Sequence, residues 1–121
     1  MNIVGLGMDA TEIGRIAETF ERYGDRFLRR VFTEGEIAYA RSAPALTAER
    51  LAARFAAKEA AKKALELEGV AWRDLEVARS PNGAPHLVLH GAARAAAGTK
   101  SFALSMSHEG DHATAVVIAH D

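Results

Sequence analysis

The sequence predicts an α+β domain in which an antiparallel sheet packs on one long central helix. Three observations carry this. The stretch from Leu51 to Leu65 is built of strong helix formers, with no Gly or Pro to interrupt it. Two turn signals, Pro81-Asn82-Gly83 and Glu109-Gly110-Asp111, join segments of strand character, and a hairpin makes antiparallel neighbours. The elements read β-α-α-α-β-β-α-β-β, with runs of helices beside hairpins rather than alternating units. With 121 residues, a single domain over 1–121 is large enough to bury its own core.

Residues 2–10 read as a buried strand containing Gly5 and Gly7, where glycine marks a bulge or a close backbone approach. Asp9 follows directly. It suits a helix cap, and it equally suits a carboxylate delivered at a strand end, where ligand sites gather. Thr11 or Asp9 is available to cap the next helix, Glu12 to Tyr23, whose core face is Ile13, Ile16, Ala17 and Phe20. Gly24 is a natural stop. Arg15 and Arg22 lie on the outer side, and Arg26, Arg29 and Arg30 follow. Such a face is either plainly solvated or a docking surface for an acidic partner.

Thr33 and Glu36 have the spacing of a capping box, so a short helix to about Arg41 is expected. Pro44 breaks the chain, and Thr47 caps a long helix that runs to about Glu68 and ends at Gly69. At 3.6 residues per turn, Ala53, Ala56, Ala57, Ala60, Ala61 and Ala64 share one broad face that another backbone can approach closely. Arg54, Lys58 and Lys62 fall opposite, and Glu59 and Lys63 lie at the border. Trp72 to Arg79 reads as a strand with Leu75 and Val77 on one side, and Pro85 to His90 returns from it. Gly91 to Gly98 is a short alanine-rich helix, and Phe102–Ser107 and Ala113–Ala119 are the last two strands.

Composition narrows the function. The chain is 49% hydrophobic and 26% charged, ordinary for a soluble domain, and its net charge of −1 argues against general nucleic-acid or membrane binding. No cysteine is present, which excludes a thiol nucleophile or a cysteine metal site. Met1-Asn2-Ile3-Val4-Gly5 lacks a signal-peptide pattern, and no apolar run approaches the roughly 18 residues of a membrane span, so a cytoplasmic protein is expected. There is no Walker loop, dinucleotide fingerprint or zincin motif. Ser107 and His108 are neighbours in a strand and point to opposite faces, which disfavours a nucleophile–base pair. His86, His90, His112 and His120 lack paired metal spacing, and Asp111-His112 reads as a turn. Asp9, Glu59, Lys63 and Arg54 remain. Glu59 and Lys63 fit an i,i+4 ion pair. Asp9 and Glu59 with basic neighbours also fit a magnesium ion that binds phosphate.

The motifs decide between these. Ile3-Val4-Gly5-Leu6-Gly7-Met8-Asp9 with Glu12-Ile13 and Arg15-Ile16, Arg29-Arg30-Val31-Phe32-Thr33 with Glu36, and Arg54-Phe55-Ala56-Ala57-Lys58-Glu59-Ala60-Ala61 with Lys63-Ala64 stand in order, followed by Asn82-Gly83 with Pro85 and Ser105-Met106-Ser107-His108. Over nearly its whole length the chain resembles the small trimeric class of 4′-phosphopantetheinyl transferases, the holo-acyl-carrier-protein synthases. The resemblance implies that fold, assembled as a homotrimer with an active site at each subunit interface. It implies transfer of phosphopantetheine from coenzyme A to a serine of an apo acyl carrier protein, with release of adenosine 3′,5′-bisphosphate. It also implies magnesium held by Asp9 and Glu59, and Lys63 on the transferring phosphate. Arg54 and His108 are implied near the 3′-phosphate of coenzyme A, Gly83 and Pro85 along its site, and Arg15, Arg22 and Arg26 at the carrier. The carrier's pathway is left open among fatty-acid, polyketide and peptide synthesis. The family's usual Gly-Thr-Gly after Lys63-Ala64-Leu65 is replaced here by Glu66-Leu67-Glu68-Gly69. That departure keeps open a homologue that binds coenzyme A or a carrier without turnover. A purely structural homotrimer is the third reading.

Overall fold

The computed structural model describes residues 1–121. It consists of β1 (Ile3–Glu12), α1 (Ile13–Tyr23), α2 (Asp25–Val31), α3 (Glu34–Arg41), α4 (Thr47–Leu65), β2 (Leu75–Arg79), β3 (Pro85–Leu89), α5 (Gly91–Ala97), β4 (Ser101–Glu109) and β5 (His112–His120), with 3₁₀ turns at Pro44–Leu46 and Trp72–Asp74. A three-stranded sheet in the order β1-β5-β4 and a separate β2-β3 hairpin are both antiparallel. The α+β class is as the sequence predicts.

Helix α4 is the axis of the molecule. Ala56, Ala57, Ala60 and Ala61 are fully buried, and they meet Leu75, Val77 and Leu89 of the hairpin, Ala93 and Ala97 of α5, and Ala115, Val117 and Ala119 of β5. A second core collects Ile16, Leu28, Val31 and Phe32 around Leu51, Ala52 and Ala53. The small alanine side chains let β1 lie against the helix backbone. A Cβ at Gly5 would sit 1.8 Å from the carbonyl oxygen of Ala64, and one at Gly7 1.8 Å from that of Ala60. Glycine at these positions is therefore a packing requirement.

Several elements differ from expectation, each for a local reason. Four helices rather than three precede β2. The additional one, α2, is seven residues long, too short for a clear period, yet Asp25 in its first turn and Arg29 and Arg30 in its last suit the helix dipole. The Thr33–Glu36 capping box forms as predicted. Thr47 does not cap α4. Its hydroxyl donates to the carbonyl of Ala40 at 3.0 Å, because a 3₁₀ turn leads straight into the helix. Neither Thr11 nor Asp9 caps α1, whose N-cap is Glu12; the Thr11 hydroxyl donates to Asp9 instead. Helix α4 stops at Leu65, short of Glu68, with Glu66 in the left-handed region at φ 53°. The amide of Leu67 closes that end on the carbonyl of Lys62 at 2.9 Å. The strand predicted from Trp72 begins only at Leu75, since residues 72–74 form a 3₁₀ turn, and the return strand stops at Leu89.

The largest correction concerns charge. Arg54 and Lys58, expected on an open face with Lys62, are 4% and 0% exposed. Lys58 Nζ donates to Glu36 Oε1 at 2.7 Å, to the carbonyl of Leu75 at 2.9 Å and to that of Trp72 at 3.1 Å. Glu36 also accepts from the amides of Thr33 and Val77, both at 2.8 Å. Every polar atom of this pair thus has a partner, which is the condition for burying charge. Desolvation lowers the pKa of Lys58, and Glu36 opposes it. Glu76 extends the network, taking the Thr33 hydroxyl at 2.7 Å and lying 2.9 Å from His90 Nε2. Partial burial pushes its pKa up, but the bonds from Thr33 and His90 leave it lowered. Lys62 lies with its ammonium 4.4 Å from the centre of the Trp72 ring.

Strand β1 is not buried in the single chain. Leu6 and Met8 are 64% and 65% exposed on the face of the sheet turned away from α4. In register beside them are Ile118 and Ala103, then Val116 and Ser105, so an apolar band crosses all three strands. No helix of the chain is long and apolar enough to cross a membrane.

Candidate active site

Two cavities flank α4, and most of the residues singled out in the sequence divide between them; Lys63, Arg22 and Arg26 line neither. The first, of about 430 Å³, is lined by Asp9 and Thr11 of β1, Arg15 and Thr19 of α1, and Phe55 and Glu59 of α4. Asp9 lies within β1 rather than at its end. Its Oδ2 accepts from the Thr11 hydroxyl at 3.1 Å, and its Oδ1 lies 3.2 Å from Lys63 Nζ. Lys63 also donates to the carbonyl of Met8 at 3.0 Å. The i,i+4 pair of Glu59 with Lys63 is not formed, because β1 lies close enough to offer Lys63 two oxygens instead. The fold thus brings Asp9, Glu59 and Lys63 together, though Asp9 and Glu59 are fifty residues apart.

The donor set suits magnesium. The cavity is lined by three carboxylates, Asp9, Glu12 and Glu59, but no three His, Cys, Asp or Glu side chains of the chain gather closely enough to hold a metal by themselves, which leaves Asp9 and Glu59 as a pair that needs further ligands. Magnesium binds through one or two carboxylates and fills its remaining positions with water and phosphate. The lysine already drawn to Asp9 marks a point of negative charge that a cation would stabilise.

The second cavity, of about 290 Å³, brings together Arg54, Gly83, Pro85 and His108. Gly83, at φ 88°, belongs to a five-residue loop between β2 and β3 rather than a two-residue turn, with the Ser80 amide donating to the carbonyl of Ala84 at 2.9 Å. His108 lies 3.8 Å from Glu49 of α4. Arg54 donates to the carbonyl of Arg50 at 3.2 Å and pairs with no carboxylate. Burial lowers its pKa, while Tyr39 and Glu36 oppose the shift. A buried guanidinium without a carboxylate is well placed to take an anion. Sequence reasoning missed Tyr39, Arg50 and Arg79, which line the same cavity. Arg50 precedes Arg54 by one helical turn, which was a usable signal; Arg79 and Tyr39 arrive from other elements and gave none.

The three arginines read as a docking face do not form one cluster. Arg15 lines the first cavity. Arg26 lines an adjoining groove with Tyr23, Arg30 and Trp72, and Thr19, Phe27 and Phe55 border both. Arg22 stays outside both and lies 5.9 Å from the centre of the Tyr23 ring.

Residues 5–117 match the 4′-phosphopantetheinyl transferase superfamily. The chain is 48% identical, over 125 aligned positions, to a holo-[acyl-carrier-protein] synthase of Koribacter versatilis, with 98% of this chain and 99% of the relative covered. Among solved structures, it resembles the ACPS–CoA complex of Chronobacterium ammoniagenes with a TM-score of 0.88 at 32% identity, covering 99% of this chain and 98% of that one. The coenzyme A complex of Helicobacter pylori holo-[acyl-carrier-protein] synthase gives a TM-score of 0.82 at 28% identity, covering 94% and 98%.

Proposed function

The chain belongs to the 4′-phosphopantetheinyl transferase superfamily, and on that premise we propose that it transfers 4′-phosphopantetheine from coenzyme A to a serine of an apo acyl carrier protein, releasing adenosine 3′,5′-bisphosphate. The observation that carries this reading is the meeting of Asp9 and Glu59 in one cavity, with Lys63 on Asp9. Asp9 and Glu59 would hold magnesium, which when bound neutralises charge on the coenzyme A pyrophosphate. Phosphoryl transfer needs positioning and charge neutralisation more than a covalent partner from the enzyme. The nucleophile is the carrier's serine, so the cavity needs none of its own. Lys63, held beside Asp9, supplies a positive charge toward the transferring phosphate oxygens. Arg54 and His108, with Gly83 and Pro85, accommodate the nucleotide end of coenzyme A. Arg15 and Arg26, flanking the adjoining grooves, and Arg22 beyond them, attract an acidic carrier.

The two cavities support an assembled site. Arg54 and Glu59 are five residues apart on α4, about 140° around the helix, so the nucleotide and metal cavities open on different sides of one subunit. Coenzyme A spanning both would lie between subunits, the Asp9–Glu59 cavity of one beside the Arg54 cavity of the next. The apolar band through Leu6, Met8, Val116 and Ile118 offers the surface on which copies pack, and a homotrimer closes such an arrangement. Mass measurement in solution is expected to give three chains; a strictly monomeric active enzyme would overturn the shared site.

The activity is tested by mixing the protein with coenzyme A, magnesium and an apo carrier, then weighing the carrier. A gain of the phosphopantetheine mass is expected. Coenzyme A binding without that gain would establish the non-catalytic reading instead.

A further inference from the structure

Tyr39, which no motif singled out, lines the second cavity with three arginines around its ring. The guanidinium carbon of Arg50 lies 4.1 Å from the ring centroid, and those of Arg54 and Arg79 each lie 4.4 Å from it. Polar contacts fix two of them further. Arg50 Nη1 donates to the carbonyl of Tyr39 at 2.8 Å and to the hydroxyl of Ser42 at 3.0 Å. Arg79 Nη1 donates to the Tyr39 hydroxyl. The three arginines come from two elements, α4 and the end of β2, and Tyr39 comes from a third, α3.

Such a cluster works against itself. Arg50 and Arg79 both push the pKa of Arg54 down, in addition to its burial. No carboxylate pairs with any of the three, since the chain's ion pairs are made by Arg41, Lys58, Lys63, His90, His108 and His112. Glu49, on the same cavity, is turned toward His108. The negative face of an aromatic ring holds guanidinium groups without neutralising them. Tyr39 thus gathers three cations and leaves their net charge and outer N–H groups available. A dianionic phosphate monoester matches that array in charge and in its number of acceptors.

We propose that Tyr39 is a positioning residue that assembles Arg50, Arg54 and Arg79 into a phosphomonoester site, and so sets the preference for a nucleotide carrying a 3′-phosphate over one without it. This rests on the assignment of the second cavity to the nucleotide end of coenzyme A. The ring is what matters, so Tyr39→Phe keeps most of the array and loses only the hydroxyl bond to Arg79, whereas Tyr39→Leu dissolves it.

The test is titration calorimetry of the full-length protein with adenosine 3′,5′-bisphosphate and with adenosine 5′-monophosphate, alongside carrier modification and thermal unfolding. The wild type is expected to prefer the bisphosphate. Tyr39→Leu is expected to lower that preference roughly tenfold, in line with lost cation–π contacts at a desolvated site, and Tyr39→Phe to lower it by no more than about threefold. Adding Arg79→Gln to Tyr39→Leu is expected to cost less than Arg79→Gln costs alone, because a group of residues acting as a unit is non-additive. A purely structural role would weaken both nucleotides equally and leave their ratio unchanged; that result overturns the proposal. A Tyr39→Leu protein that unfolds is replaced by Tyr39→Phe and Tyr39→Met, and equal preference in those two also overturns it. If the wild type modifies the carrier yet binds the two nucleotides equally, this inference falls while the transferase reading stands. If it modifies no carrier, that reading falls separately.

Discussion

Replacing Gly7 with alanine tests how the fold positions the metal-binding carboxylates. The new methyl would lie 1.8 Å from the carbonyl oxygen of Ala60 and 2.8 Å from the amide nitrogen of Ala64. Both are backbone atoms of a helix buried on most sides, so no side chain can swing away. Cβ contacts below 3.0 Å are essentially never seen. Moving from 1.8 Å to 3.0 Å requires β1 to retreat from α4 by at least 1.2 Å. Asp9 is two residues along the same strand and faces the same side, while Glu59 stays on the helix. The carboxylates therefore separate by a distance of that order, and Lys63 loses its reach to Met8 and Asp9. A misplacement of about 1 Å at a reacting centre costs on the order of 100-fold in rate. Overpacking costs about 1–3 kcal/mol of stability. Gly14→Ala is the control, since nothing lies within 4 Å of a Cβ there, and in α1 it is expected to be neutral or slightly stabilising. The assay is the rate of carrier mass gain at saturating coenzyme A and magnesium, with thermal unfolding in parallel. A Gly7→Ala protein that is destabilised but transfers at the wild-type rate would refute the link between strand–helix approach and catalysis.

Asp9→Asn and Glu59→Gln are each expected to abolish most transfer, with the double variant little worse than either, because two ligands of one ion act as a unit; magnesium titration of each single variant checks this, and near-normal turnover in either refutes it. Reversing Arg22, which lies outside both cavities, to Glu is expected to raise the KM for the carrier several-fold at low salt and to leave coenzyme A affinity nearly unchanged, with the effect fading as salt screens the charges; steady-state kinetics across ionic strength measures it. Lys58→Met leaves Glu36 charged and buried beside apolar neighbours and is expected to cost roughly 3–5 kcal/mol; denaturant unfolding reads the loss, and a change under about 1 kcal/mol would mean that water reaches Glu36.

Much of this protein was legible in its residues. The alanine spacing from Ala53 to Ala64 fixed a helix with one broad apolar face, because helical period depends only on local backbone geometry. The Thr33–Glu36 box and the glycines of β1 were equally local signals, the one satisfying nearby amides and the other permitting close approach. Asp9 and Glu59 could be paired from the motif resemblance, although spacing alone favoured an ion pair of Glu59 with Lys63, which the structure does not form. Tertiary structure decided what no period encodes, namely which charges are buried. Lys58 occupies a helical position that reads as solvent-facing, yet Glu36 and the carbonyls of Trp72 and Leu75 close over it from chain segments 14 to 22 residues away. Arg54 and Arg79 meet on Tyr39 in the same way. Burial of a charge is favourable only when distant groups satisfy it, so its position along the chain fixes the direction a side chain takes from the helix, while the elements that pack there fix whether it meets water or a partner.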